Sequence, residues 1–588
     1  MVDLKVRPYY LSDEDCKWVE EIIASMSDEE KVGQLFFQLT SSHDEAHLRE
    51  LMEKYHLGGC RYNPAPGAAV QEQNRKLQKY ARIPVFIACN TEAGGDGACA
   101  DGTLIGSGVK IAATDKEEYA YQLGRMANET AAAIGCNMAF APVCDIAYNW
   151  QNTEIISRAF GNDPERVARM SAAYLQGAHT IPGFACAAKH FPGNGLDFRD
   201  AHISNNVNDM DVEEWDATYG YVYKTLIEQD LDAIMGGHIL MPKYAGALNP
   251  DLKDEDMMPA TLSKEIMTGL LRDRLGFNGM VVTDASHMVA MTNRMKRKDM
   301  LPLAINAGCD MFLFFNDPEE DFHTMLDAYK KGIISEKRME DALKRILGLK
   351  ARMGLHKKNA DELVPVPEIL NDVIGNPTYM RMQEDISRDA VTLVKYKDKE
   401  VLPITPDKYK RVMIVHIKGN EGSMGELMKA MGYGGGNPAE ELRKKLVDKG
   451  FEAFIYESPM DKMKKQIAAG EKPNINLYFA GKNAIADFVK DMDIVITLCN
   501  VSSGRPSFGM SKGGGEIPWY VFEIPVVVIG CGQPTMLADV PQARTYINTY
   551  DSKNSTLDAL VDKLMEGSEA FRGIDPIDSF CGLFDARI

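Results

Sequence analysis

The sequence predicts an α/β protein: a (β/α)8 TIM-like barrel followed by a smaller α/β sandwich domain with a mostly parallel sheet. Three observations carry this. Over the first 355 residues, eight short apolar runs alternate with amphipathic helical stretches. The runs are near-continuously apolar rather than alternating, as parallel strands buried on both faces must be. After a polar, proline-bearing stretch, a second and shorter alternation begins. A barrel needs about 250 residues plus insertions; a doubly wound open sheet is the structural alternative.

The expected strands are 33–37, 59–62, 84–89, 137–143, 184–188, 233–237, 279–283 and 311–315, with helices over 115–134, 164–179 and 212–229. The helix over 335–354 stops at Arg352-Met353-Gly354, a glycine past a basic turn. These boundaries give a catalytic barrel over 1–355, a linker over 356–380 and a C-terminal α/β domain over 381–588. Strands at 412–415, 494–498 and 526–530 and a helix at 440–449 mark that second domain as an open, mostly parallel sheet.

With 45% hydrophobic and 8% aromatic residues in 588, wholesale disorder is excluded. The 85 acidic side chains outweigh 66 basic ones, leaving a net charge of -19. Such a field repels nucleic acid and anionic membrane surfaces, so neither is expected as a partner. The first ten residues have no basic stretch leading into an apolar core, and no later run reaches the length of a membrane span. The eleven cysteines cannot all pair internally, form no Cys-x-x-Cys motif and sit mostly in apolar runs. A reduced, soluble, cytoplasmic protein is the expectation. Nothing in the sequence sets an oligomeric state.

The glycine clusters at 94–97, 432–436 and 513–515 lack both the P-loop lysine and the Gly-x-Gly-x-x-Gly register, so they are read as loops. The histidines lack metal-ligand spacing. No cofactor and no metal are expected. Ser502-Ser503-Gly504-Arg505, after a strand end, is likewise read as a loop.

Chemistry concentrates after two strands. The fifth runs into Lys189-His190-Phe191-Pro192-Gly193 and then, across a loop, Asp200-Ala201-His202. A cation and an imidazole ending a buried strand fall at the barrel face where active sites are built. Asp200 and His202, at i and i+2, share one face of an extended segment, so the carboxylate can orient the imidazole for proton transfer. Taken alone, such a pair is ordinarily a surface feature. The seventh strand ends in Asp284, a carboxylate placed either as a nucleophile or as a cap for the next helix. Arg158 adds a rigid five-donor fork.

Together these segments make the chain similar to glycoside hydrolase family 3, in its β-N-acetylhexosaminidase-like branch. The resemblance rests on residues 27–35, Arg158-Ala159-Phe160-Gly161, Lys189-His190-Phe191-Pro192-Gly193 with Asp200-Ala201-His202, and Val282-Thr283-Asp284. Residues 390–395 and 402–404 resemble the start of the family's second domain. The resemblance implies that Asp284 is the nucleophile of a glycosyl-enzyme. It makes His202, oriented by Asp200, the acid/base, and Arg158, Lys189 and His190 the ligands of a small carbohydrate substrate. Family members need no metal. Hydrolysis of terminal β-linked N-acetylglucosamine, from small glycans or cell-wall fragments, is the leading expectation.

A neutral imidazole puts no negative charge beside an incoming anion, so inorganic phosphate can stand as the alternative acceptor. Some relatives in the branch are described as phosphorylases. Three departures from the pattern bear on the sugar. Asn90 stands where the branch usually has an aspartate that binds distal hydroxyls, and its hydrogen bonds to hydroxyls are weaker for want of charge. Asn194 stands where a second histidine is typical, and no arginine occurs between Thr91 and Lys110. A β-glucosidase-like activity and a turnover-deficient sugar-binding relative are the remaining alternatives.

Overall fold

The computed structural model describes residues 2–40, 42–63, 65–418, 436–457, 459–473, 485–501 and 517–588. The glycines at 432–435 and 513–515 and the segment Ser502 to Arg505 lie outside the described residues.

Eight parallel strands close into a barrel: β1 (Phe36–Thr40), β2 (Gly59–Tyr62), β3 (Phe86–Cys89), β4 (Met138–Ala139), β5 (Ala185–Phe191), β6 (Ala233–Gly236), β7 (Met280–Ala285) and β8 (Met311–Leu313). Each strand pairs with its sequence neighbours, and β1 closes on β8 through Phe36 opposite Phe312. The interior is packed rather than open, with the Phe37 ring 6.1 Å from Phe86 and 5.4 Å from Phe140. Ala185, Ala187, Ala233, Met280 and Val282 belong to the same buried cluster.

Three of the differences from the expected boundaries have local reasons. Residues 33–34 belong to the helix Asp28–Gln34, because a capping box between Ser27 and Glu30 starts that helix early. The expected strand 137–143 is continuous only over Met138–Ala139; past a cis Ala141–Pro142 bond it resumes as a single parallel bridge from Val143 to Lys189. The helix expected over 212–229 breaks at Thr218, giving Val212–Ala217 and Tyr219–Glu228. The break turns Trp215 and Tyr219 inward, where Trp215 Nε1 donates to the Pro192 carbonyl (2.8 Å) and Tyr219 Oη to that of Asn194 (2.7 Å). The loop after β5 is thereby pinned from outside the barrel.

The chain divides into two compact units, 1–108 with 116–382, and 109–115 with 383–588. The stretch expected as a linker over 356–380 is therefore built into the first unit. Val364 is fully buried, and Arg75 donates to the Val364 and Pro365 carbonyls at 3.2 and 2.8 Å. Polar composition misled there, because the segment's anchor is a few apolar side chains and its own backbone.

The second unit holds a six-stranded sheet of β9 (Thr392–Tyr396), β10 (Arg411–Lys418), β11 (Glu452–Ile455), β12 (Ile494–Val501), β13 (Val526–Gly532) and β14 (Thr545–Asn548). The spatial order is β9-β14-β13-β12-β10-β11, parallel throughout except for the antiparallel β9. Alternate residues bury opposite faces: Val412 and Ile414 join one cluster, Met413 and Val415 the other. Lys110, from the 109–115 segment, is buried in this unit on Asp551 (2.7 Å), Ser387 and Thr556.

One buried charge sets a stability prediction. Lys350, in the helix Glu336–Arg352, is fully buried; it donates to Gln34 Oε1 (2.7 Å) and lies 5.0 Å from the Phe86 ring centroid. Burial pulls its pKa down to about 7, against about 10.4 in an unfolded chain. Between those values the unfolded state binds the extra proton, so stability falls as pH drops from 10 towards 7, by up to about 4 kcal/mol. Lys350→Met is expected to flatten this part of the profile; denaturant titrations at pH 6.5 and 9.5 check it, and a variant with an unchanged slope refutes the assignment.

Candidate active site

The site is built where the strands end. A cavity of about 270 Å³ opens at the C-terminal mouth of the barrel, lined among others by Arg61, Asn90, Lys189, His190, His202 and Asp284. Leu39, Phe140, Met235, Leu313 and Phe314 supply apolar wall. Of the expected catalytic and sugar-binding residues, Asp200 alone does not line the cavity, and it reaches it through His202.

Asp284 occupies the end of β7 with a side chain only 15% exposed. Its Oδ1 accepts from the Ala285 N–H (2.7 Å), and His190 Nε2 lies 4.0 Å from its Oδ2. Burial alone pushes this carboxyl up, but His190, His238, the Ala285 N–H and Lys189 outweigh it and hold the pKa below the usual carboxylate value. The group is thus kept ionised although its side chain is largely buried.

His190 is locked by a fully buried carboxylate. Its Nδ1 donates to Asp145 Oδ2 (2.7 Å), and the backbone N–H groups of His190 and Asn194 converge on the same carboxylate. Donation from Nδ1 fixes the ring so that Nε2 faces Asp284.

Arg158 and Lys189 meet on a third carboxylate. Arg158 grips Glu92 in a two-pronged pair, 2.8 Å on each side, and Lys189 Nζ reaches the same residue at 2.6 Å. Burial raises the Glu92 carboxyl, yet the two cations hold it well below its ordinary value. Burial pulls Lys189 down, against the pull of Glu92. The two expected sugar ligands are therefore oriented by Glu92; Arg158 Nη1 also donates to the Glu154 carbonyl at 3.4 Å, and both side chains line the cavity.

The dyad forms by a different route from the one expected. Residues 200–204 turn rather than extend: the Asp200 carbonyl accepts from the Ile203 and Ser204 N–H groups. Asp200 Oδ1 accepts both the His202 backbone N–H and His202 Nδ1, each at 2.8 Å. This local turn, not strand geometry, pairs the two side chains. The bond to Asp200 raises the His202 pKa above its usual value, with Glu154 and Asp284 adding to the effect against burial. His202 remains half exposed.

Asn90 lines the cavity from just beyond β3. The glycine cluster beside it has a steric purpose: a Cβ on Gly97 would stand 1.7 Å from the Asn90 carbonyl oxygen. The loop reading of 94–97 is matched by a short 3-10 turn at Gly95–Gly97.

Sequence reasoning missed Arg61, Glu92, Asp145 and Glu154. Arg61 carried a usable signal, since it interrupts an apolar strand near its C-terminal end much as Asp284 does. Glu154 carried none, because it sits in an irregular loop. It also places a carboxyl beside the imidazole: Glu154 Oε1 lies 3.9 Å from His202 Nδ1. Burial pushes this carboxyl's pKa up. Glu154, Asp200 and His202 each bring a ligand-type atom within 4.8 Å of the others, the one such group among the described residues.

A family model described as the glycosyl hydrolase family 3 N terminal domain matches residues 27–349. The chain belongs to glycosyl hydrolase family 3. As a family 3 member it is an enzyme of the glycoside hydrolase class, and the matched stretch contains the whole barrel. A relative from Cellulomonas fimi described as a beta-N-acetylglucosaminidase/beta-glucosidase is 34% identical over 593 residues, covering 100% of both chains. A solved β-glucoside phosphorylase, BglX, superposes with a TM-score of 0.88 at 33% identity over 99% of each chain. A family 3 β-N-acetylglucosaminidase from Paenibacillus sp. str. FPU-7 shares the fold, with a TM-score of 0.75 at 24% identity over 94% of this chain and 99% of that one. Among the described residues, no helix is long and apolar enough to cross a membrane.

Proposed function

We propose that this family 3 enzyme removes terminal β-linked N-acetylglucosamine or glucose from small glycans with retention of configuration, through a glycosyl-aspartate intermediate. One observation carries the reading. Asp284, whose carboxyl pKa is held below its usual value, and His202, whose imidazole pKa the bond to Asp200 raises, line the same sugar-sized cavity.

In the first step an Asp284 oxygen attacks the anomeric carbon. The bond to the aglycone oxygen breaks, and His202 gives that oxygen its proton. In the second step neutral His202 takes a proton from the incoming acceptor, whose oxygen displaces Asp284. Asp200 stabilises the imidazolium before the first step and after the second. Arg158, Lys189 and His190 hold the sugar hydroxyls. The Cellulomonas fimi relative, named for both activities, supports leaving the 2-substituent open between acetamido and hydroxyl.

A second reading, phosphate in place of water, is favoured by Arg61. Its guanidinium edges the cavity without an ion-pair partner among the described residues, and burial draws its pKa down. A half-buried guanidinium with no ion-pair partner among the described residues suits a phosphate oxygen. The likeness to a β-glucoside phosphorylase points the same way; the Glu154 carboxyl points the other.

The test is a panel of aryl β-glycosides followed with and without inorganic phosphate. Turnover of the N-acetylglucosaminide or glucoside, with the β-anomer of the free sugar appearing first, is the expected result. Sugar 1-phosphate formed in step with aglycone release selects phosphorolysis. Release of the α-anomer first, or no turnover on the panel, refutes the proposal.

A further inference from the structure

We propose that Glu154 is a specificity-determining residue of this pocket, a fixed carboxyl whose free oxygen accepts a hydrogen bond from one O–H or N–H of the bound sugar. The inference deepens the glycosidase reading above and rests on it.

A pyranose ring carries several hydroxyls, and each one buried needs an acceptor for its proton. The cavity is rich in donors (Arg61, Arg158, Lys189) and poor in acceptors. Glu92 is taken up by Arg158 and Lys189. Asp284 faces the anomeric carbon in the proposed reaction, and Asn90 offers a single uncharged amide oxygen. Glu154 is the remaining carboxyl in the cavity wall.

Its two oxygens are not equivalent. Oε2 accepts from Asn194 Nδ2 at 2.9 Å. The Asn194 amide has no choice of orientation, because its Oδ1 already accepts from Asn152 Nδ2 (3.2 Å), Asn206 Nδ2 (3.1 Å) and the Gly195 N–H (2.6 Å). Nδ2 must therefore point at Glu154. Asn194 is itself 2% exposed and anchored through its N–H to Asp145 (2.7 Å), the residue that locks His190. Oε1, by contrast, has Arg158 Nη1 and His202 Nδ1 each at 3.9 Å, beyond hydrogen-bond range.

A side chain only 6% exposed thus presents one rigid, unfilled acceptor to the cavity. Leaving such an oxygen unmatched against a bound ligand is unfavourable, so it selects for a donor. The ligand class is a neutral pyranoside with a free hydroxyl or N–H at that point. A sugar carrying carboxylate or sulfate there has no proton to give that oxygen. The replacement of a histidine by Asn194, unexplained from sequence, has its counterpart here: a carboxamide N–H holds the Glu154 carboxyl in place.

The experiment compares wild type, Glu154→Gln and Glu154→Ala on aryl β-glucoside, aryl β-N-acetylglucosaminide and their monodeoxy analogues, with melting temperatures as the folding control. Glu154→Gln is expected to lower kcat/KM on the parent glycosides by about 10- to 100-fold. It is expected to add nothing on the one deoxy analogue that lacks the partner group, where wild type already shows that loss. Equal penalties on every analogue overturn the inference, since a merely structural role is blind to which hydroxyl is missing. If wild type turns over no glycoside, the glycosidase reading has failed instead. The same deoxy sugars are then titrated by calorimetry. There, coupling confined to one position upholds the Glu154 assignment, and its absence overturns it.

Discussion

Asp284→Ala is expected to lower kcat on an aryl β-N-acetylglucosaminide or β-glucoside by about 10⁴- to 10⁶-fold, as loss of a covalent nucleophile does elsewhere. The reason lies in the placement of the carboxylate. A side chain 15% exposed at the end of β7 is unfavourable to ionise, yet His190, His238, the Ala285 N–H and Lys189 hold it ionised. Those groups make the anion available at neutral pH without a general base. Alanine leaves them around an uncharged gap, and water entering that gap has no route to a glycosyl-enzyme. Trapping checks the same point: a slow 2-fluoro glycoside should add one sugar mass to the wild-type peptide containing Asp284, and none to the variant. Turnover within tenfold of wild type, in a variant with an unchanged melting curve, would remove Asp284 from the mechanism.

Much of this site was legible because barrel physics makes strand ends informative. An ionisable residue closing a buried apolar run has little reason to be there unless the mouth of the barrel uses it, which singles out Asp284, Lys189 and His190. The same rule reaches Arg61, whose strand position is equivalent. The partners that tune these groups were not legible. Glu92, Asp145 and Glu154 lie in loops, where sequence carries no periodicity, and the bonds that place them span 40 residues or more. The Asp200–His202 pair was found by spacing, although a turn rather than an extended strand brings it together. The fold followed from apolar runs, whereas the boundary segments 109–115 and 356–380 did not, since a handful of contacts decides which unit each joins.

His202 provides the second large effect, and its pH dependence separates it from Glu154. His202→Ala is expected to lower kcat/KM by about 10²- to 10⁴-fold on glycosides with poor leaving groups, the range of a lost general acid. Dinitrophenyl glycosides, whose leaving group departs without a proton, should suffer far less in the first step. Their deglycosylation then lacks a base, so a burst of phenolate is expected. Asp200→Asn tests the orienting partner, because an asparagine oxygen still accepts from Nδ1 while the charge is gone. The bond to Asp200 is the main reason the imidazole holds its proton above its usual pKa. Losing the charge lowers that value. A general acid works only while protonated, and activity falls as pH rises through its pKa. The basic limb of kcat/KM should therefore move to lower pH in Asp200→Asn, with the acidic limb, set by Asp284, left in place. An unmoved basic limb, together with a mild His202→Ala phenotype on poor leaving groups, would transfer the acid role to the one other proton carrier at that spot. That group is Glu154, whose carboxyl burial pushes upward 3.9 Å from the imidazole.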